Sequence, residues 1–171
     1  MPLLNGMILD ATALIDFCWL NEWEWLKQHY SPLYIAQEVL DSDNLEVVTR
    51  QVADKHLIPL PLDTEAMFAS FLEFGTKVPL LSEADRSTIA IARHRLLVCA
   101  SDDGLVVETC ETYGIVYTRT LRLLSEMVTT QHKTVAEVID MANILIKDRG
   151  KHIKPSLLAI WQKSLQKDVT D

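Results

Sequence analysis

The sequence contains only 5 glycines and 6 prolines among 171 residues, which excludes collagen-like repeats and Pro/Gly-rich disordered segments. Cysteine is equally scarce. Cys18, Cys99 and Cys110 form no CxxC pair, and an odd count fits no disulfide framework. Cys18 and Cys99 lie among apolar residues, as buried free thiols do, and a reducing cytoplasm is the expected compartment. The opening MPLLNGMILD has neither a basic n-region nor a cleavable apolar stretch, so no signal peptide is expected. No run approaches the roughly 18 apolar residues needed to cross a bilayer, and no membrane contact is expected. Net positive charge is missing too: the formal charge is −8. That argues against simple backbone binding to nucleic acid, which favours basic proteins. It leaves a nuclease open, because carboxylates gathered around cations inflate the negative count. There is no GxGxxG or GxxxxGK loop, which disfavours a nucleotide-binding fold. The five histidines (His29, His56, His94, His132, His152) show no metal-ligand spacing, and none pairs with a Ser or Cys as base and nucleophile.

What is present is globular: 49% of residues are hydrophobic, and a chain this long buries roughly two-thirds of its unfolded surface without needing a disulfide or metal. Short apolar runs alternate with helical patterns. MILD ends the first run in an acid, and residues 11–30 read as a helix on the spacing of Leu14, Cys18, Trp25 and Leu26, broken at Ser31-Pro32. Residues 33–35 read as a second strand, and 36–56 as one helix or two around DSDN. Residues 57–62 are extended, with Pro59 and Pro61 fitting only an edge strand or a non-strand run. A helix follows with Thr64 as N-cap and Gly75 just past its end. SEADRSTIAIARHR then opens on Ser82 as N-cap with an acid three residues on. LLVCA reads as a strand buried on both faces. A polar SDDG turn, a helix ended by Gly114, a strand over 115–117 and three more helices complete the chain, the last with Pro155 near its start. This pattern predicts one α/β domain: a central parallel sheet flanked by helices, plus C-terminal helices. The division expected is an α/β domain over residues 1–130 and a helical extension of it over 131–171.

In open parallel sheets, ligands bind beyond the carboxyl ends of the strands. Asp10 closes the first strand, Asp102 and Asp103 follow the buried one, and Asp85 lies in the first turn of the helix that feeds it. Taken singly, each has a structural reading: a helix cap for Asp10, a dipole partner for Asp85, an Asx turn for Asp102 and Asp103. Together on one sheet edge they repel one another unless protonated or joined by a cation. A hard divalent ion such as Mg²⁺ takes oxygen ligands, keeps several waters and can act on a phosphodiester. Thr12 reads either as a helix-start hydroxyl or as support for a ligand. Asp16 falls on the outer side of its helix by spacing and is expected to be solvated. Trp19, Trp23 and Trp25 read as core or interface rather than a base-stacking platform. KDRGKHIKP with Lys163 and Lys167 is a local basic patch, either a solvated helix surface or an RNA-backbone contact.

The stretch LDATALIDF resembles the opening strand and helix of PIN domains, in which the Asp is a metal ligand and a hydroxyl residue two places on supports it; Asp10 and Thr12 match. Residues 81–128 resemble the second half of that family in the order of acid, small-residue helix, buried strand, acid, helix, strand and helix. The likeness covers about residues 7–128. It implies a PIN-like, Rossmann-like three-layer fold and a Mg²⁺- or Mn²⁺-dependent ribonuclease. Asp10, Asp85 and Asp102 are then catalytic and metal-binding, with Asp103 as a further or alternative ligand. The family's helix acid after the second strand falls at Ser42 here, so Glu38 or Asp41 would have to substitute. The likeness also implies an RNA substrate, an antitoxin-like protein inhibitor and a homodimer. The rival reading is a PIN-like module that has lost catalysis and binds RNA or protein. A phosphatase or receiver pocket is disfavoured, because the DATA stretch lacks a second Asp two residues on and no Lys follows a strand.

Overall fold

The computed structural model describes residues 4–170, with side chains to 167. Its elements run in the order β1 (Met7–Leu9), α1 (Ala11–Leu20), α2 (Trp23–Tyr30), β2 (Leu33–Ala36), α3 (Gln37–Leu40), α4 (Val47–His56), β3 (Ile58–Leu60), α5 (Glu65–Lys77), α6 (Glu83–Arg95), β4 (Val98–Ala100), α7 (Gly104–Tyr113), β5 (Tyr117–Thr118), α8 (Thr120–Thr129), α9 (Val135–Lys147) and α10 (Pro155–Thr170). The five strands form one sheet in the order β3-β2-β1-β4-β5, and each of its four pairings is parallel. β1, with no exposed side chain, is its centre, as a run covered by helices on both faces requires. The chain winds outward from β1 to β2 and β3 on one side, then returns to β4 and β5 on the other. The strand order therefore reverses between β1 and β4, and a crevice opens beyond their carboxyl ends. Leu9 pairs with Ala100, so Asp10 and Ser101 leave the sheet side by side.

Local chemistry explains most elements. Ser82 caps α6 by accepting from the Asp85 N–H at 3.1 Å, with Glu83 and Asp85 in the first turn and Arg93, His94 and Arg95 in the last. Both sets of charges complement the helix dipole. Ile89, Ala90, Ile91 and Ala92 are all buried, so this helix lies between the sheet and α5. β3 sits at the sheet edge, where its Pro59 costs no ladder hydrogen bond. The C-terminal helices share the core: Val138, Ala142, Trp161 and Leu165 belong to the same apolar cluster as β1. Among the described residues no helix is long and apolar enough to cross a membrane.

Four local expectations are corrected. The expected helix over 11–30 is two, because Asn21 takes the left-handed conformation (φ 51°) and closes α1 with an N–H to Phe17 O at 2.8 Å. Asn tolerates this region better than other non-glycine residues. Gly75 does not end α5, which continues to Lys77; it makes room for Arg86, whose Nη1 lies 2.7 Å from where a Cβ would be. The last strand is Tyr117–Thr118, shifted from 115–117, because β4 pairs Cys99 with Tyr117 and Ala100 with Thr118. Asp16 is not solvated but fully buried, as described below. Of the three tryptophans between residues 19 and 25, Trp23 and Trp25 are core and Trp19 is exposed.

Gly6 is required where β1 begins. Its φ is +121°, and a Cβ there would meet Pro32 O at 2.4 Å. Gly6→Ala is expected to cost about 2–4 kcal/mol from backbone strain and the clash together. Urea unfolding checks this, and an unchanged midpoint would show that the β1–β2 junction can open without cost.

Candidate active site

The N-terminus of α1 and the two central strand ends meet in a buried polar knot. Asp10 caps α1, its Oδ1 accepting from the Ala13 N–H at 2.9 Å and from the Thr12 hydroxyl at 2.7 Å. Its Oδ2 accepts from the Ser101 hydroxyl. Thr12 in turn accepts from the Asp102 N–H at 3.1 Å, and Ser101 from the Asp103 N–H at 3.0 Å. Three residues thus tie the end of β1 to the end of β4 and fix both acids of the SDDG turn. Asp10 is wholly buried. Burial pushes its carboxyl up to about 7, against the lowering effect of the three hydrogen bonds, and the charge of Asp85 adds to the rise. With three of roughly four lone-pair sites used, Asp10 keeps one acceptor position free.

Above this knot lies a cleft of about 650 Å³, rimmed by Glu38, Asp41, Asp43, Glu83, Asp85 and Asp103, with Thr12 and Ser42 also in its wall. Burial raises the Asp85 carboxyl above its ordinary range; a Ser82 hydrogen bond opposes the rise and the Asp103 charge adds to it. Asp103 Oδ1 caps α7 through the Leu105 and Val106 N–H groups at 2.9 and 3.1 Å. Glu38 contributes the most telling atom. Its Oε2 is buried without a hydrogen-bond partner, a costly state for a carboxylate oxygen unless something fills the place.

The sequence-derived acids are therefore divided. Asp85, Asp103, Glu38 and Asp41 share the cleft, Asp10 lies beneath it coupled to Asp85, and Thr12 joins the two layers. Asp102 is not brought to them. The turn is extended at Asp103, and successive side chains of extended backbone point to opposite sides. Asp102 accordingly receives the Thr120 N–H at 3.3 Å and pairs with Lys151 at 2.7 Å, on the far side of the ridge. Sequence reasoning missed Ser101, which no motif marks beyond its place at a strand end, and Asp43 and Glu83, which flank acids it did single out. It missed Asp16 as well. That carboxylate meets Arg149 at 2.7 Å, Lys151 at 2.8 Å and the Thr120 hydroxyl at 2.6 Å.

The donors fit a hard cation, since the cleft offers carboxylate oxygens and the orphaned Glu38 Oε2 has no protein group to satisfy it. Among the described residues no three His, Cys, Asp or Glu side chains stand close enough together to hold a metal directly. Mg²⁺ keeps several of its waters and is commonly held by one or two carboxylates, so direct convergence of three is not required. The family model that matches the chain is that of a PIN domain, over residues 6–167. A search of curated proteins finds no match.

Proposed function

The chain belongs to the PIN-domain family, and on that premise we propose that it is a metal-dependent ribonuclease working in the acidic cleft. The observation that carries this reading is the buried, unpartnered Glu38 Oε2 on a residue that lines one cleft with Asp85 and Asp103. Mg²⁺ or Mn²⁺ would be held by one or two of Glu38, Asp85, Asp103 and Asp10 directly and by the others through its waters, and would supply Lewis acidity toward a phosphodiester and a water made acidic enough to attack. The protein's own share is positional. Asp10 is locked by Thr12 and Ser101, Asp103 by the first turn of α7, and Glu38 by the short helix after β2. The negative rim keeps RNA from settling there until cations neutralise it. Glu38 takes the part that the family pattern would give to position 42, where Ser42 lines the same wall without a charge.

The test compares wild type with Glu38→Gln on structured and single-stranded RNAs with Mn²⁺, Mg²⁺ or EDTA. Cleavage is expected to need metal, and the variant's half-saturating Mn²⁺ concentration to rise by roughly 10–100-fold. Metal-independent cleavage, or an unchanged Mn²⁺ requirement in the variant, would sink the assignment. A second reading, a PIN fold without catalysis, is favoured by Ser42 and by the absence of a ready-made ligand triad among the described residues. It predicts no cleavage by either protein and no thermal stabilisation by Mn²⁺.

A further inference from the structure

On the far side of the ridge formed by Thr12, Asp102 and Asp103 lies a second cavity, of about 380 Å³. The sheet end contributes Thr12 and Asp102, the start of α8 contributes Arg119 and Leu121, and Arg149, residues 151–154 and Leu157 close it. Its charges fall into two sets. Lys151 bridges Asp16 and Asp102, and Arg149 pairs with Asp16, so two cations balance two carboxylates. Arg119 and Lys154 are exposed and form no ion pair among the described residues. On a chain of net charge −8 this is a local positive surplus, to which a cavity wall adds focusing. Besides Thr12 and His152, the rest of the wall is apolar: Leu121, Ile153 and Leu157.

An apolar wall beside uncompensated cations suits a ligand with a flat apolar part and an anionic part, and the volume is at the low end of small-molecule sites. Thr12 lines both cavities, and Asp102 and Asp103 are consecutive. A strand crossing that ridge meets the acidic cleft on one side and the basic cavity on the other. We propose that this second cavity seats one nucleotide unit of single-stranded RNA, its phosphate on Arg119 and Lys154 and its base on Leu121, Ile153 and Leu157. The proposal rests on the RNA reading above for its substrate, and on the neutral Asp16–Arg149–Lys151–Asp102 network for its rigid floor.

The experiment measures binding of a labelled ten-nucleotide oligouridylate in EDTA by fluorescence anisotropy across a salt series. The double variant Arg119→Gln/Lys154→Gln is expected to bind at least about tenfold more weakly, with a salt slope reduced by about 1. Its melting temperature should stay near wild type, and the charge-keeping Arg119→Lys/Lys154→Arg variant should retain binding. Uridine 5′-monophosphate should displace the probe at about a tenth of the concentration that inorganic phosphate needs, because only the nucleotide reaches the apolar wall. Unchanged affinity and slope in the double variant would overturn the site. Equal displacement by phosphate and nucleotide would overturn the base seat. Binding that follows these expectations without any cleavage in Mn²⁺ would sink the nuclease reading and leave this one standing.

Discussion

Asp10→Asn is expected to lower metal-dependent RNA cleavage by roughly 10²–10³-fold, the scale of removing one preorganised charged or polar group from an active site, while making the metal-free protein more stable at pH 8. The two effects have one cause. Asp10 is fully buried, and burial holds its carboxyl near 7 instead of its ordinary 3.8. Between those values the folded protein keeps a proton that the unfolded chain has released. Stability therefore falls as pH rises from about 4 to about 7, and above that the buried charge is carried at full cost. At about 1.4 kcal/mol per pK unit, that cost is a few kcal/mol. Asn keeps the α1 cap, since it serves at N-caps as well as Asp, and its amide can donate to Ser101 Oγ. The variant should thus melt higher than wild type at pH 8 without metal, with the gap closing toward pH 5. Mn²⁺ should reverse the order by stabilising wild type alone. The wild-type shift should itself shrink below about pH 7, where the cation competes with the Asp10 proton. Thermal melts at pH 5 and 8, with Mn²⁺ and with EDTA, give these comparisons. A variant no more stable than wild type at pH 8 in EDTA would show that Asp10 carries no buried charge to relieve.

Lys151→Met is expected to destabilise the protein by about 3 kcal/mol at pH 8, the lower part of the range for breaking a buried ion pair. In a chain this size that is roughly a 10 °C fall in melting temperature. Lys151 is only 10% exposed and touches Asp16 at 2.8 Å and Asp102 at 2.7 Å. Without it Asp102 has no cation and Asp16 only Arg149. Burial already holds the Asp16 carboxyl above its ordinary range despite Lys151 and the other partners. Removing Lys151 pushes it higher, so Asp16 takes a proton as pH falls. The penalty should therefore be smaller at pH 5 than at pH 8. Lys151→Met/Asp102→Asn removes the carboxylate left without a cation and should recover more than half of the loss, a coupling that a double-mutant cycle reads directly. A single variant within about 0.5 kcal/mol of wild type would place Lys151 among ordinary surface residues.

These two sites differ in how far they can be read from the chain alone. Asp10 is legible because its signal is local: an apolar run ends, an acid follows, a helix begins. The same holds for α6 with its Ser82 cap, for β4 as an uninterrupted buried run, and for β3 at an edge that Pro59 imposes. Pattern and capping act over a few residues, so the alternation of strand and helix, and hence the parallel sheet with its acids at one end, follows from the sequence by itself. Which acids share a cleft does not. Asp102 and Asp103 have nearly the same local chemistry, and what separates them is that the Thr120 N–H and Lys151 wait on one side of the ridge. Asp16 looks solvated on its helix because its partner Lys151 lies 135 residues away. Glu38 brings a carboxylate into the wall that Ser42, at the position of the family pattern, lines without one, because α3 is a single short turn between β2 and the loop to α4. The sequence determined the layers and the strand-end carboxylates. Only the tertiary structure decided which charges are paired and which are left without a partner, because long-range pairing depends on where distant segments pack and no local periodicity encodes it.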